Sequence, residues 1–231
     1  MAGRSGAKKR IRALLQADDW QANLEKIASE GQGATGPLFG LLPGEPELMH
    51  RAARALGLLI AKIHAEDPEA ARNLIRRFMW HMNEESGNIG WGIPDAFAET
   101  LAASPELAKT YSRILDSYIY DLGFDDNFCD HDILRRDCYW AIGRLAEASP
   151  ELAEPARPWL VKGLTDRDPI CRGMAAWALG KIRPDLSSAP ALRKLAESGA
   201  GDECEIFENS QLFTKSAAAL AGEALRKMAP A

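Results

Sequence analysis

One helix is written at least twice in this chain and echoed three more times, and that repetition restricts the fold more than any other feature. Arg51-Ala52-Ala53-Arg54-Ala55-Leu56-Gly57 and Arg172-Gly173-Met174-Ala175-Ala176-Trp177-Ala178-Leu179-Gly180 both place a cation first, small residues along one face and Leu-Gly at the close. Weaker copies occupy Pro94 to Ala98, Arg136 to Gly143 and Lys215 to Ala221. From Gly57, the equivalents Ala98, Gly143, Gly180 and Ala221 follow at steps of about 41, 45, 37 and 41 residues, the length of a two-helix repeat. One such pair cannot bury both of its faces, so the pairs must stack.

Helical spacing runs through most of the chain, whereas sustained polar/apolar alternation is not evident. The pattern predicts helices over about 6–16, 20–30, 37–42, 45–64, 68–82, 93–103, 105–120, 132–148, 150–164, 169–182, 188–197 and 211–228. Asp67-Pro68-Glu69, Ser104-Pro105-Glu106 and Ser149-Pro150-Glu151 repeat one start signal. A short polar residue caps, Pro fits the first helical position, and Glu complements the positive end of the helix dipole. Ala and Gly on the repeat helices let two backbones approach closely while Leu, Ile, Met and Trp fill the flanks.

The segment Leu164-Thr165-Asp166-Arg167-Asp168-Pro169-Ile170-Cys171-Arg172, continuing through Gly180-Lys181-Ile182, resembles the HEAT-like repeat of the phycobilisome-lyase type. In that repeat an L-x-D-x-D loop leads into R-x-x-A-A-x-A-L-G-x-I. The resemblance implies an all-α superhelix, a solenoid of about five to six two-helix repeats. It would form a single domain over 1–231, with a basic capping segment at 1–18 and stacked repeats over 19–228. Such proteins bind other proteins, and some hold or attach tetrapyrroles, so function does not follow from the fold. Asp168 and Arg172, with Arg51 and Arg136, are expected to pair within a repeat or across to its neighbour, fixing the stacking angle.

Charge narrows the function. The net charge is -5, but from Asn83 to Asp132 eleven carboxylates face only Lys109 and Arg113, a local balance of -9. That surface repels phosphate backbones, so no nucleic acid is expected as a partner. No apolar run approaches the roughly 20 residues of a membrane span, and no apolar signal core follows the basic N-terminus, giving a cytoplasmic expectation. Cys129, Cys138, Cys171 and Cys204 are scattered without a C-x-x-C pair, which indicates neither a zinc ribbon nor a disulfide framework. Ser86 lacks a strand-to-helix elbow and no Ser, His and Asp set is readable, so the sequence argues against a nucleophilic enzyme.

Three segments depart from repeat filler: 83–92, 123–132 and 201–211. Each mixes carboxylates, an Asn and an aromatic, and each precedes the first helix of a repeat, so regular stacking predicts one shared edge with Thr165 to Asp168. The candidate docking residues are Glu84, Glu85, Asn88, Trp91, Asp125, Asp126, Asn127, Tyr139, Trp140, Phe207, Glu208 and Asn209. Acidic groups favour a protein partner with a basic segment, and aromatic groups supply anchor contacts. Trp91 also reads as a plug between repeats, Tyr139 and Trp140 as core, and Asn209 or Ser210 as a helix cap. Asp130 and His131 are weak metal candidates: the acidic segment offers oxygen and imidazole to a divalent cation but lacks the EF-hand glycine and closing Glu. No cofactor is expected on this reading. The alternative is a tetrapyrrole-handling protein, with Trp91, Tyr139 or Trp140 as pocket walls and His131 or Cys129 as ligand or attachment point.

Overall fold

A computed structural model describes residues 2–83, 90–124, 127–198 and 201–228, with side chains from Gly6 onward. The fold is all-α in class and of the HEAT/armadillo solenoid type, with one added β-hairpin. The chain divides into two compact units, Met1–Leu107 and Ala108–Ala231.

The first unit holds α1 (Ala2–Gln16), α2 (Trp20–Ala28), a 3-10 turn at Gly31–Ala34, α3 (Thr35–Phe39), α4 (Pro46–Glu66), α5 (Pro68–Met82) and α6 (Ile93–Ala103). Its core packs α4 between α2 and α6, around Leu56, Leu59, Ile75, Phe78 and Phe97. The Leu-Gly close of the repeat helix has a physical cause here. A Cβ added to Gly57 would lie 2.5 Å from the Glu99 carbonyl carbon and 2.8 Å from the Thr100 nitrogen, so only glycine lets α4 and α6 approach this closely. Asp67 caps α5 by accepting from the Ala70 N–H at 3.0 Å, as its position before Pro68 predicts.

The second unit takes in most of α7 (Pro105–Ser117), then α8 (Asp132–Ala148), α9 (Pro150–Ala153), a 3-10 turn at Glu154–Ala156, α10 (Arg157–Gly163), α11 (Pro169–Leu179), α12 (Ala189–Glu197) and α13 (Ala217–Met228). Pro155 and Pro158 break the predicted 150–164 helix into short pieces, because neither supplies a backbone donor. The repeat helices α8, α11 and α13 pack in succession. At Gly143 an added Cβ would meet the Trp177 ring at 2.2 Å, and at Gly173 the Cys204 sulfur at 2.3 Å.

The structure corrects the expectation for 201–216. This stretch is an antiparallel hairpin, β1 (Glu203–Glu208) paired with β2 (Gln211–Ser216), and the last helix begins at Ala217 rather than 211. Asn209 and Ser210 both have positive φ, 51° and 65°, forming the two-residue turn that right-twisted hairpins favour. They therefore do not cap α13. Ser216 does so, its hydroxyl accepting from the Ala219 N–H at 3.1 Å.

Asp116 on α7 is fully buried, and burial pushes its carboxyl up to about 8 against the opposing influence of Arg113 and the Tyr120 hydroxyl. The folded protein thus keeps a proton that the unfolded chain, near 3.8, has released. Stability should fall as pH rises from about 4 to about 8, by up to about 1.4 kcal/mol per unit, and level off above that window. Asp116→Asn is expected to remove this slope, read as urea midpoints of wild type and variant converging at pH 5 and separating at pH 8.

Candidate functional site

The second unit contains a cleft of about 580 Å³. Phe124, Phe128, Tyr139 and Trp159 wall it, with Asp121, Asp130, Asp166, Arg135, Lys162 and Arg167 supplying its charge. Arg135 on α8 organises the floor and is 1% exposed. It grips Asp166 bidentately, Nε to Oδ2 and Nη2 to Oδ1 both at 2.8 Å, and reaches Asp132 at 2.7 Å. The same guanidinium donates to the carbonyls of Cys129 at 3.0 Å and Asp130 at 3.2 Å. Burial opposes the Arg135 charge, but Asp166 and Asp132 override it and raise its pKa. The Tyr139 hydroxyl donates to Asp166 at 3.3 Å, and burial beside that carboxylate raises the phenol, keeping it a donor.

The acid-rich segment is therefore tied to the Thr165–Asp168 turn, as stacking predicts. Arg167 donates to Asp132 at 2.7 Å and to the Asp130 carbonyl at 2.7 Å. Asp168 caps α11 at Cys171 N–H, 3.1 Å, and accepts two bonds from Arg136 on the neighbouring repeat helix at 2.7 and 2.9 Å. Of the two expected pairings for Asp168, the bridge between repeats is the one made. Arg172 instead donates to the Asp166 carbonyl at 3.0 Å. On the cleft's other side Lys162 holds Asp121 at 2.8 Å, which lowers that carboxyl, and Tyr120 stacks on Trp159 at 5.1 Å between ring centroids.

The rim is apolar as well as acidic. Phe124, which lines the cleft, is 72% exposed. The Asp130 side chain is 88% exposed, with Arg167 3.9 Å away.

Residues 132–182 match the family model of the HEAT-like repeat. An engineered protein of known crystal structure shares 18% identity, a TM-score of 0.51 and coverage of 96% of this chain and 98% of its own. A designed armadillo repeat protein shares 19% identity at a TM-score of 0.49, with coverage of 95% and 99%. No curated protein matches the chain. These likenesses concern fold alone. Among the described residues no helix is long and apolar enough to cross a membrane.

The candidate residues separate. Glu84, Glu85, Asn88, Asp125 and Asp126 lie outside the described residues. Trp91 is half-buried in the first unit, beside left-handed Gly92, where a Cβ would meet the Met49 side chain at 2.8 Å. Asn127 is exposed and donates to the Ser117 hydroxyl at 3.1 Å. Tyr139 lines the cleft, but the adjacent Trp140 is core: its Nε1 donates to the Phe207 carbonyl at 3.0 Å, and its ring lies parallel to Trp177 at 6.2 Å. Phe207 is likewise buried, and Glu208 accepts from Trp177 at 3.2 Å and pairs with Lys181. Burial opposes ionisation of Glu208, yet these donors hold its pKa low. Phe207 and Glu208 thus fasten the hairpin to the stack, and Asn209 turns it. The His131 ring accepts from the Leu134 N–H at 3.3 Å as the cap of α8, and among the described residues no group of three or more His, Cys, Asp and Glu side chains is arranged to hold a metal.

Sequence reasoning missed Arg135, Lys162 and Arg167, each of which pairs with one carboxylate 31 to 41 residues away. They offset much of the expected acidity of this edge. Repeat register offers a signal for them, since 31 to 41 residues is close to one repeat.

Proposed function

We propose that this protein is a docking module whose cleft in the second unit receives an extended segment of a protein partner, led by an aromatic or aliphatic anchor with a cation beside it. The carrying observation is Phe124, an aromatic side chain 72% exposed at the mouth of a preformed cleft walled by Trp159, Phe128 and Tyr139. Exposed aromatics at a concave site supply contact energy at small entropic cost. Asp130, extended to solvent and only loosely approached by Arg167, suits the partner's cation. Repeat stacks present such surfaces by construction.

Selection of a displayed random peptide library against the protein tests this. Enriched sequences should combine Phe, Trp, Tyr or Leu with Lys or Arg, and occupancy should protect Phe124 and Trp159 from oxidative footprinting. Enrichment of acidic peptides, or footprints away from the cleft, would contradict it.

A further inference from the structure

The hairpin of the second unit leaves one strand edge unpaired. Its two-residue turn, Asn209-Ser210 with both φ positive, makes Glu208 and Gln211 exchange backbone bonds. Alternation along the ladder gives Ile206 with Phe213, and Cys204 with Lys215, the same role. The backbone groups of Phe207 on β1, and of Leu212 and Thr214 on β2, therefore point away from the hairpin. On β1 that edge backs onto the helices, where the Phe207 carbonyl accepts from Trp140 at 3.0 Å. On β2 no residue is buried, and among the described residues the outward N–H and carbonyl groups of Leu212 and Thr214 have no partner. The usual guards of an edge are missing, since β2 contains no Pro or Gly and its register runs without a bulge.

We propose that the β2 edge pairs with the same edge of a second copy of this chain, antiparallel about a two-fold axis at Phe213, joining the two hairpins into one continuous sheet. In that register Leu212 of one copy and Thr214 of the other exchange both backbone bonds, and the symmetry repeats the exchange. The edge groups left open by the hairpin are the ones this pairing uses.

Self-complementarity selects a second copy as the occupant. Antiparallel pairing sets Phe213 against Phe213 at the close, non-hydrogen-bonded position, where aromatic pairs stabilise a sheet. It sets Gln211 against Lys215, so no like charges stand opposite each other, and the Lys215 ammonium is already matched by Glu223 at 2.8 and 2.9 Å. The strand bears no carboxylate to draw the cationic segment that suits the cleft, so the edge and the cleft take different partners.

Pairing is read on the full chain alone, without a docking partner. In sedimentation equilibrium from about 5 to about 500 μM, the weight-average mass should rise from 25.2 kDa toward twice that. Thr214→Pro should hold the mass at 25.2 kDa over the same range and keep the wild-type circular dichroism spectrum, because the ring removes only an outward N–H. Under mild oxidation Phe213→Cys should form a symmetric disulfide between two copies. Thr214→Cys should not, since its equivalents lie diagonally across the axis, about 7–8 Å apart. If Thr214→Pro loses its helical spectrum, this cysteine contrast decides. A mass of 25.2 kDa at every concentration, a dimer that survives Thr214→Pro, or a link in Thr214→Cys and not in Phe213→Cys would overturn the proposal.

Discussion

Arg135→Ala should destabilise the second unit by about 3–5 kcal/mol, the cost expected when one partner of a buried ion pair is removed. The Asp166 side chain is 6% exposed and would lose both guanidinium bonds, while the Cys129 and Asp130 carbonyls would lose a shared donor. Arg135→Lys should recover only part of this, because an ammonium cannot reproduce the bidentate grip or reach the two carbonyls together. Arg135→Ala combined with Asp166→Asn should cost less than the sum of the single changes, since each single change strands the other's charge. Urea denaturation of wild type, the three single variants and the double variant gives these values directly. Strict additivity would mean that the pair seen at 2.8 Å does not couple energetically.

Gly57→Ala should cost about 2–3 kcal/mol although alanine is the better helix former. The added methyl would sit 2.7 Å from the Glu99 carbonyl oxygen, and all three nearest atoms are backbone, so no rotamer change relieves the overlap. Helices α4 and α6 would have to separate, loosening Leu56, Leu59 and Phe97. Gly222→Ala provides the opposite sign. Gly222 lies inside α13, its nearest neighbour the flexible end of Arg226 at 3.6 Å, so alanine should stabilise by roughly 0.5–1 kcal/mol. Thermal unfolding of both variants separates close backbone approach from intrinsic propensity.

The same contrast shows what the sequence revealed. Gly57, Gly143 and Gly173 were legible because a repeat marks positions where side-chain volume is excluded, and backbone or core atoms lie against each. The Pro-Glu starts were legible because capping is local. The hairpin was not, because Glu203, Glu205 and Glu208 disguise a strand whose alternate residues Cys204 and Ile206 are buried. Asn209-Ser210, a short polar pair between two six-residue strands that do not alternate strictly, was its one local sign. Tyr139 and Trp140, adjacent in sequence, face the cleft and the core respectively, a division that composition cannot express. The cations of the cleft were hidden for the same reason: pairing across a repeat is set by stacking.

The docking account places the second unit's binding energy in Phe124 and its preference for cations in Asp130. Isothermal titration of a library-selected aromatic and basic peptide into wild type, Phe124→Ser and Asp130→Lys tests that assignment most directly. The account predicts at least a roughly tenfold loss of affinity for Phe124→Ser, about 1.4 kcal/mol. It also predicts a smaller loss for Asp130→Lys that shrinks as salt is raised. Affinities equal to wild type in both variants would contradict it.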